Sequence, residues 1–409
     1  MRSGLKLGAL FGIPLFIDPS WFFILALVTF LNAVNFSETW GTALAWSAGL
    51  VLAVLLFVSV LLHELGHSLV ARSQGIKVNS ITLFLFGGVA SIEEESKTPG
   101  QAFQVAAAGP SVSIVLFGLF YLLTQIVPAE PGILRVLTLD LARINLVLAL
   151  FNLIPGLPLD GGQILKAAVW KLTGNRFQGV RWAALTGKIL GAIAIALGLT
   201  TFLLAGAIGG LWIGLIGWFI IRNASNYDRL TNLQENLLQL KAADAMTREF
   251  RVIDADMTLR QFADDYILKD SWTSEGTNQV YPYYAASDGR YRGLVSVEDL
   301  HFIERSLWES KTLESIARPL TDILSVQENT PLVEVINSME AKQIKSLTVL
   351  SPAGAVAGTL DRGDIVRAVA SKLKLAVSEA DIKRVKAEGT YPPGLQLQAI
   401  AKGTASSTE

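Results

Sequence analysis

Residues 51–71 read VLAVLLFVSVLLHELGHSLVA, an apolar run long enough to cross a lipid bilayer. Near its end stand His63-Glu64-Leu65-Gly66-His67. On a helix, residues four apart share a face, so both imidazoles can reach one metal ion. Glu64 falls on a neighbouring face, where a carboxylate can take a proton from an attacking water. This is the H-E-x-x-H pattern that binds zinc. Polar and charged groups are costly at membrane depth, which marks them as functional. The pattern also arises by chance in soluble proteins. Here only three histidines exist in the chain, and two belong to it.

Composition sets the frame. The chain has 409 residues, 51% of them hydrophobic, and a mean hydropathy of +0.44. The apolar excess is confined to about the first 225 residues; beyond them the composition is that of a soluble domain. A net charge of -1 gives no reason to expect a nucleic-acid partner. The absence of cysteine excludes disulfides, thiolate ligands and cysteine nucleophiles. The first residues, MRSGLKLGALFGIPLFIDPSW, place Gly and Pro in the apolar stretch and have no small-x-small cleavage site, so they read as mature structure.

Hydropathy predicts six helical spans, near 19–36, 47–71, 102–127, 134–154, 182–205 and 207–222. The run Ile76 to Val89 is too short for a helical span. Its alternation and Gly87-Gly88 suggest a strand pair or re-entrant element with residues 5–17, tolerated at membrane depth only under a protein cover. Lys and Arg flank alternate loops, and the loops at about 37–46, 128–133 and 205–208 contain neither. The expected protein is therefore a multi-pass integral membrane protein with both termini cytoplasmic. Residues 224–241 read as a helical linker after a membrane domain at 1–223. A weak internal repeat follows over 242–371, in copies at 242–305 and 315–371, each strand, helix, strand, strand, helix. A polar tail, 372–409, is expected to lose order near Ser406.

Two histidines leave a catalytic zinc one protein ligand short. His301 is the remaining histidine and lies in the soluble repeat. Asp140 sits beside Arg143, which suggests a local ion pair. Asp160 follows Phe151-Asn152-Leu153-Ile154-Pro155-Gly156-Leu157-Pro158-Leu159 and precedes Gly161-Gly162. Prolines and glycines break the helix there, exposing backbone and turning a carboxylate inward. An N-cap role is the plain alternative and is compatible with ligation. Asp160 is the expected third ligand.

Three blocks now carry a resemblance: LLHELGHSLVA at 61–71, LFGGVASIEEESKTPGQAFQVAAAGPSVS at 85–113 and FNLIPGLPLDGGQIL at 151–165. The chain resembles the site-2 proteases, intramembrane zinc metalloproteases, in the subgroup with a C-terminal CBS pair. The resemblance implies Zn2+ held by His63, His67 and Asp160, with Glu64 as catalytic base. It implies that Asn152 helps position substrate or stabilise the oxyanion. Ser113 stands where many members have Asn, and Gln163 where Arg or Lys is common. Neither is expected to touch the metal's ligands.

The repeat resembles paired CBS domains, a Bateman module that often binds an adenine nucleotide. The resemblance implies phosphate contact by Ser296 and ribose contact by Asp299 and Asp364, with Asp361 unfavourable to phosphate in the second copy. A dimerisation or docking module without ligand is the alternative, with a homodimer formed through the repeats. The fold class expected is thus a polytopic α-helical membrane protein with a membrane-associated β element and an α/β cytosolic CBS pair. The expected function is hydrolysis of a peptide bond in or near the transmembrane segment of a single-span membrane protein, regulated by the CBS domains, in a bacterial-type cell membrane. A CBS-gated transporter would line several spans with polar groups. An inactive zinc-binding scaffold would not need Glu64.

Overall fold

The computed structural model describes residues 4–85, 87–93, 95–128, 132–268, 281–392, 397 and 401. The chain divides into two compact units, Met1–Asn232 and Leu233–Glu409. The first holds the long helices α1 (Ser20–Trp40), α2 (Thr42–Ser73), α3 (Pro99–Ile126), α4 (Ile133–Asn152), α5 (Asp160–Thr173) and α6 (Arg176–Ala205), and most of α7 (Gly209–Gln239). Among the described residues four helices, α1, α2, α3 and α6, are long and apolar enough to cross a membrane. The other two segments expected to span are also helical. However, α4 carries Arg135, Asp140 and Arg143, and α7 runs on into polar sequence. α5 is a short amphipathic helix that follows the stretch broken by Pro155, Gly156 and Pro158.

Four strands form one sheet in chain order: β1 (Leu5–Leu10), β2 (Ile13–Ile17), β3 (Val78–Phe84) and β4 (Gly87–Ile92). β2 and β3 pair in parallel; the two outer pairs are antiparallel. The sheet packs on α2 through Ile13, Leu15, Val78 and Ile81, which bury against Leu65 and Ala71. β4 is an edge strand, and it lies over the H-E-x-x-H segment. A Cβ at Gly88 would stand 2.4 Å from Cγ of Glu64, so only glycine lets the strand pass this close.

The second unit repeats one pattern twice. β5 (Arg251–Asp254), α9 (Leu259–Phe262), β6 (Tyr283–Ser287), β7 (Arg290–Val295) and α10 (Val297–Leu300) form the first copy, after the single turn α8 (Ala242–Ala245). β8 (Ser325–Gln327), α11 (Leu332–Ala341), β9 (Ser346–Leu350), β10 (Val356–Asp361) and α12 (Arg362–Leu373) form the second. Each copy makes a three-stranded sheet with one parallel and one antiparallel pair. The buried Tyr284 hydroxyl and Thr348 hydroxyl, 2.7 Å apart, join the two copies. Residues 269–280 of the first copy lie outside the described residues.

Two expectations on segment roles change. Leu233 and Leu237, in the stretch expected as linker, are buried with Leu332, Ile336 and Met339. Each such side chain stabilises by roughly 1.5–3 kcal/mol relative to exposure, so this stretch belongs to the folded unit. Beyond Leu373, helix α13 (Glu379–Glu388) buries Ile382 and Val385. The expected polar tail is therefore docked in part; its last residues, 402–409, including Ser406, lie outside the described residues.

Candidate metal and catalytic site

His63 and His67 face the same way from α2, and both are buried. The helix break after α4 brings Asp160 to them from the first turn of α5. His63 Nε2 lies 3.0 Å and His67 Nε2 3.2 Å from Asp160 Oδ2, and the two Nε2 atoms are 3.3 Å apart. Leu159 holds the N-cap position of α5, so Asp160 turns to the imidazoles and does not cap its helix.

The partners at the outer edges of the rings differ in what they fix. His67 Nδ1 is 2.7 Å from the carbonyl oxygen of Val105, which can only accept. That nitrogen therefore carries a proton, and in the neutral imidazole Nε2 keeps its lone pair toward Asp160. His63 Nδ1 is 2.9 Å from Oγ of the fully buried Ser113. Val105 and Ser113 both lie on α3, with Gly109 midway. A Cβ at Gly109 would fall 2.2 Å from His67 Nε2 and 2.6 Å from His63 Nε2. The missing side chain leaves open the space onto which both nitrogens face.

These residues fit a zinc ion. Nitrogen and carboxylate donors this close repel each other unless a cation or a proton is shared among them. Zinc bonds of about 2.0–2.1 Å in a tetrahedron set neighbouring donors about 3.3 Å apart, close to the separations seen. Among the described residues His63, His67 and Asp160 are the cluster able to hold a metal. Glu64 stands beside it, covered by β4, with the Ala90 amide donating to its carboxylate.

The expectation that Ser113 stays clear of the ligands is corrected: it is a direct partner of His63. One sequence offers no way to know which residue of α3 meets which residue of α2. Asn145 was also missed, although an Asn inside an apolar span is a signal. Its Nδ2 donates to Oγ of Ser59, one helical turn before His63, at 3.0 Å, and to the Leu141 carbonyl at 2.9 Å. Asp140 pairs with Arg143 at 3.4 Å, as its position suggested. Asn152 ends α4, half-buried, and is not part of the His–His–Asp cluster. A clasp closes the surroundings: Lys166 of α5 and Arg176 of α6 meet Glu95 at 2.9 and 3.4 Å. Lys166 holds the Glu95 carboxyl below the usual range against its burial, and Arg176 adds to the effect. The connection from β4 to α3 is thereby tied to the helix that carries Asp160.

The residues expected at a nucleotide site are separated by their surroundings. Ser296 caps α10 by accepting from the Glu298 amide. Asp299 is held in a two-point pair by Arg318, at 3.0 and 2.6 Å. Asp364 is buried beneath α13, with Lys386 Nζ at 2.8 Å and the Asp361 amide at 3.1 Å. Burial pushes the Asp364 carboxyl up, against the pull of Lys386. His301 is exposed, far in the chain from the metal cluster.

Comparison with known proteins gives the family. The model of peptidase family M50 matches residues 51–138 and 126–197, and that of the CBS domain matches residues 313–371. The chain is 42% identical over 372 residues to a protein of Synechocystis sp. described as a candidate zinc metalloprotease, covering 90% of this chain and 96% of the relative. It is 30% identical over 352 residues to zinc metalloprotease MJ0392 of Methanocaldococcus jannaschii, covering 85% and 95%. The solved structure of the site-2 protease from Methanocaldococcus jannaschii aligns at 30% identity with a TM-score of 0.41, over 55% of this chain and 95% of that one. The chain belongs to peptidase family M50, the site-2 proteases: it is a membrane zinc metalloprotease with a CBS domain toward its C-terminal end.

Proposed function

We propose that this metalloprotease hydrolyses a peptide bond within or near the transmembrane segment of a single-span membrane protein, and that its CBS repeats regulate the cleavage. The observation that carries the proposal is the placement of Glu64 and the His63–His67–Asp160 cluster inside α2 and its neighbours, at the depth of apolar sequence.

His63, His67 and Asp160 would hold the metal. Zinc bound there supplies Lewis acidity, which polarises a carbonyl and brings the pKa of water toward about 7. Glu64 takes the proton of the attacking water and hands it to the leaving amine. The Ala90 amide and the close passage of Gly88 keep its carboxylate in place. A helical substrate has its carbonyls locked in i to i+4 bonds, so it must unwind before attack. β4, with β3 as its neighbour on one side in the sheet, offers an edge on which an unwound segment can pair beside Glu64. Asn152 is assigned to substrate positioning or to the oxyanion. The sparse charge of α1 and of α6 beyond Lys188 supports proteolysis over ion transport.

The chain is assigned to a cell membrane, with both termini cytoplasmic. In the soluble repeats, the first copy is assigned to an adenine nucleotide through Ser296 and Asp299. Asp364 is less suited, because Lys386 and α13 already cover it. Assembly as a homodimer through the repeats is part of the same reading.

The test is co-expression with candidate single-span membrane proteins, wild type against Glu64→Gln. A substrate shortened by the wild type and intact with the variant supports the proposal. Substrates shortened equally by both refute it.

A further inference from the structure

We infer that Ser113 is a positioning residue of the metal site: its hydroxyl decides which nitrogen of His63 is free to ligate. The inference rests on the zinc reading of the His63–His67–Asp160 cluster.

α3 serves both histidines from one face. Val105 and Ser113 are eight residues apart, a little over two turns, with Gly109 between them. Each imidazole thus has its own outer partner on the same helix: the Val105 carbonyl for His67 and the Ser113 hydroxyl for His63. The two partners differ in kind. A carbonyl only accepts, so His67 has one tautomer. A hydroxyl can donate or accept, so the tautomer of His63 follows the Ser113 O–H.

When Ser113 accepts, His63 carries its proton on Nδ1 and presents a bare Nε2 to Asp160 and His67. The Ser113 O–H then turns to a carbonyl of the preceding turn of α3, as serines inside helices do. When Ser113 donates, Nε2 carries the proton and points it at Asp160 Oδ2, 3.0 Å away, which blocks ligation. Rotation of one buried hydroxyl therefore separates the metal-ready arrangement from the metal-free one. Ser113 is fully buried, so no bulk water replaces it if it is lost. Outer partners of this kind typically govern metal affinity by about 10–100-fold.

The experiment uses the full-length protein in the Glu64→Gln background, with Ser113→Ala and Ser113→Thr added. Zinc affinity is read by competition with a chelator, and melting is followed with and without zinc. The expected result is a loss of about 10–100-fold in zinc affinity for Ser113→Ala, with Ser113→Thr close to the parent and the zinc-free melting of all three alike. Unchanged affinity in Ser113→Ala overturns the assignment. Equal losses in Ala and Thr also overturn it, because they point to packing and not to the hydroxyl. Absence of zinc binding in all three, parent included, overturns the metal reading itself and is distinct from either outcome.

Discussion

Gly109→Ala places a methyl where the donors of the cluster converge, and its effect can be worked from the structure. The added Cβ would stand 2.2 Å from His67 Nε2 and 2.6 Å from His63 Nε2. Ordinary contact begins near 3.4 Å, so the shortfalls are about 1.2 and 0.8 Å. Metal–ligand distances tolerate about 0.2 Å, several times less than the movement required. If the helices part instead, the bonds from α3 to His67 at 2.7 Å and to His63 at 2.9 Å stretch together. Overpacking alone costs about 1–3 kcal/mol. The expected outcome is loss of zinc affinity by about 100-fold or more, with a lower melting temperature. Gly118→Ala is the control on the same helix, because its Cβ meets nothing within 4 Å. It should leave zinc unchanged and raise helix stability by up to about 1 kcal/mol. Zinc content after purification and chelator competition report both. Wild-type affinity in Gly109→Ala would refute the claim that this space belongs to the metal.

Asp160→Ala should lower both zinc content and activity, while Asp140→Ala, which breaks only the pair with Arg143, should change neither; metal loss in the second and not the first would name the other carboxylate as ligand. In the C-terminal repeats, Asp299→Ala should weaken adenine-nucleotide binding to the full-length protein and leave zinc content untouched. Calorimetry with ATP at millimolar concentration reads this directly, and no heat in the wild type would leave the repeats as a docking or dimerisation module.

The long helices and the doubled strand-helix-strand-strand-helix pattern were legible because apolar length and periodicity are local properties. So was the meeting of His63, His67 and Asp160, since H-E-x-x-H fixes two donors on one face and a broken helix is where a distant carboxylate can turn inward. The alternation before Gly87-Gly88 announced strands, and the four-stranded sheet includes residues 5–17 as expected. What stayed hidden depends on register between helices. α3 is apolar along most of its length, so its sequence does not say that Ser113 faces His63 and Val105 faces His67. The burial of Leu233 and Leu237 was hidden likewise: leucines at helical spacing suit a free linker or a packed helix equally well. The docking of α13 rests on Ile382, Val385 and the ion pairs of Lys386 and Glu379, in an otherwise polar stretch, too little apolar signal to read without the surface it covers.

The central claim is that Glu64 acts on a peptide bond beside a metal held by its neighbours. Purified Glu64→Gln protein tests it most directly, with zinc content and cleavage of a membrane-anchored substrate measured on the same sample. The account predicts zinc equal to wild type, because all three donors remain, and cleavage lower by at least about 10²–10⁴-fold. Cleavage near the wild-type rate with zinc retained would contradict it.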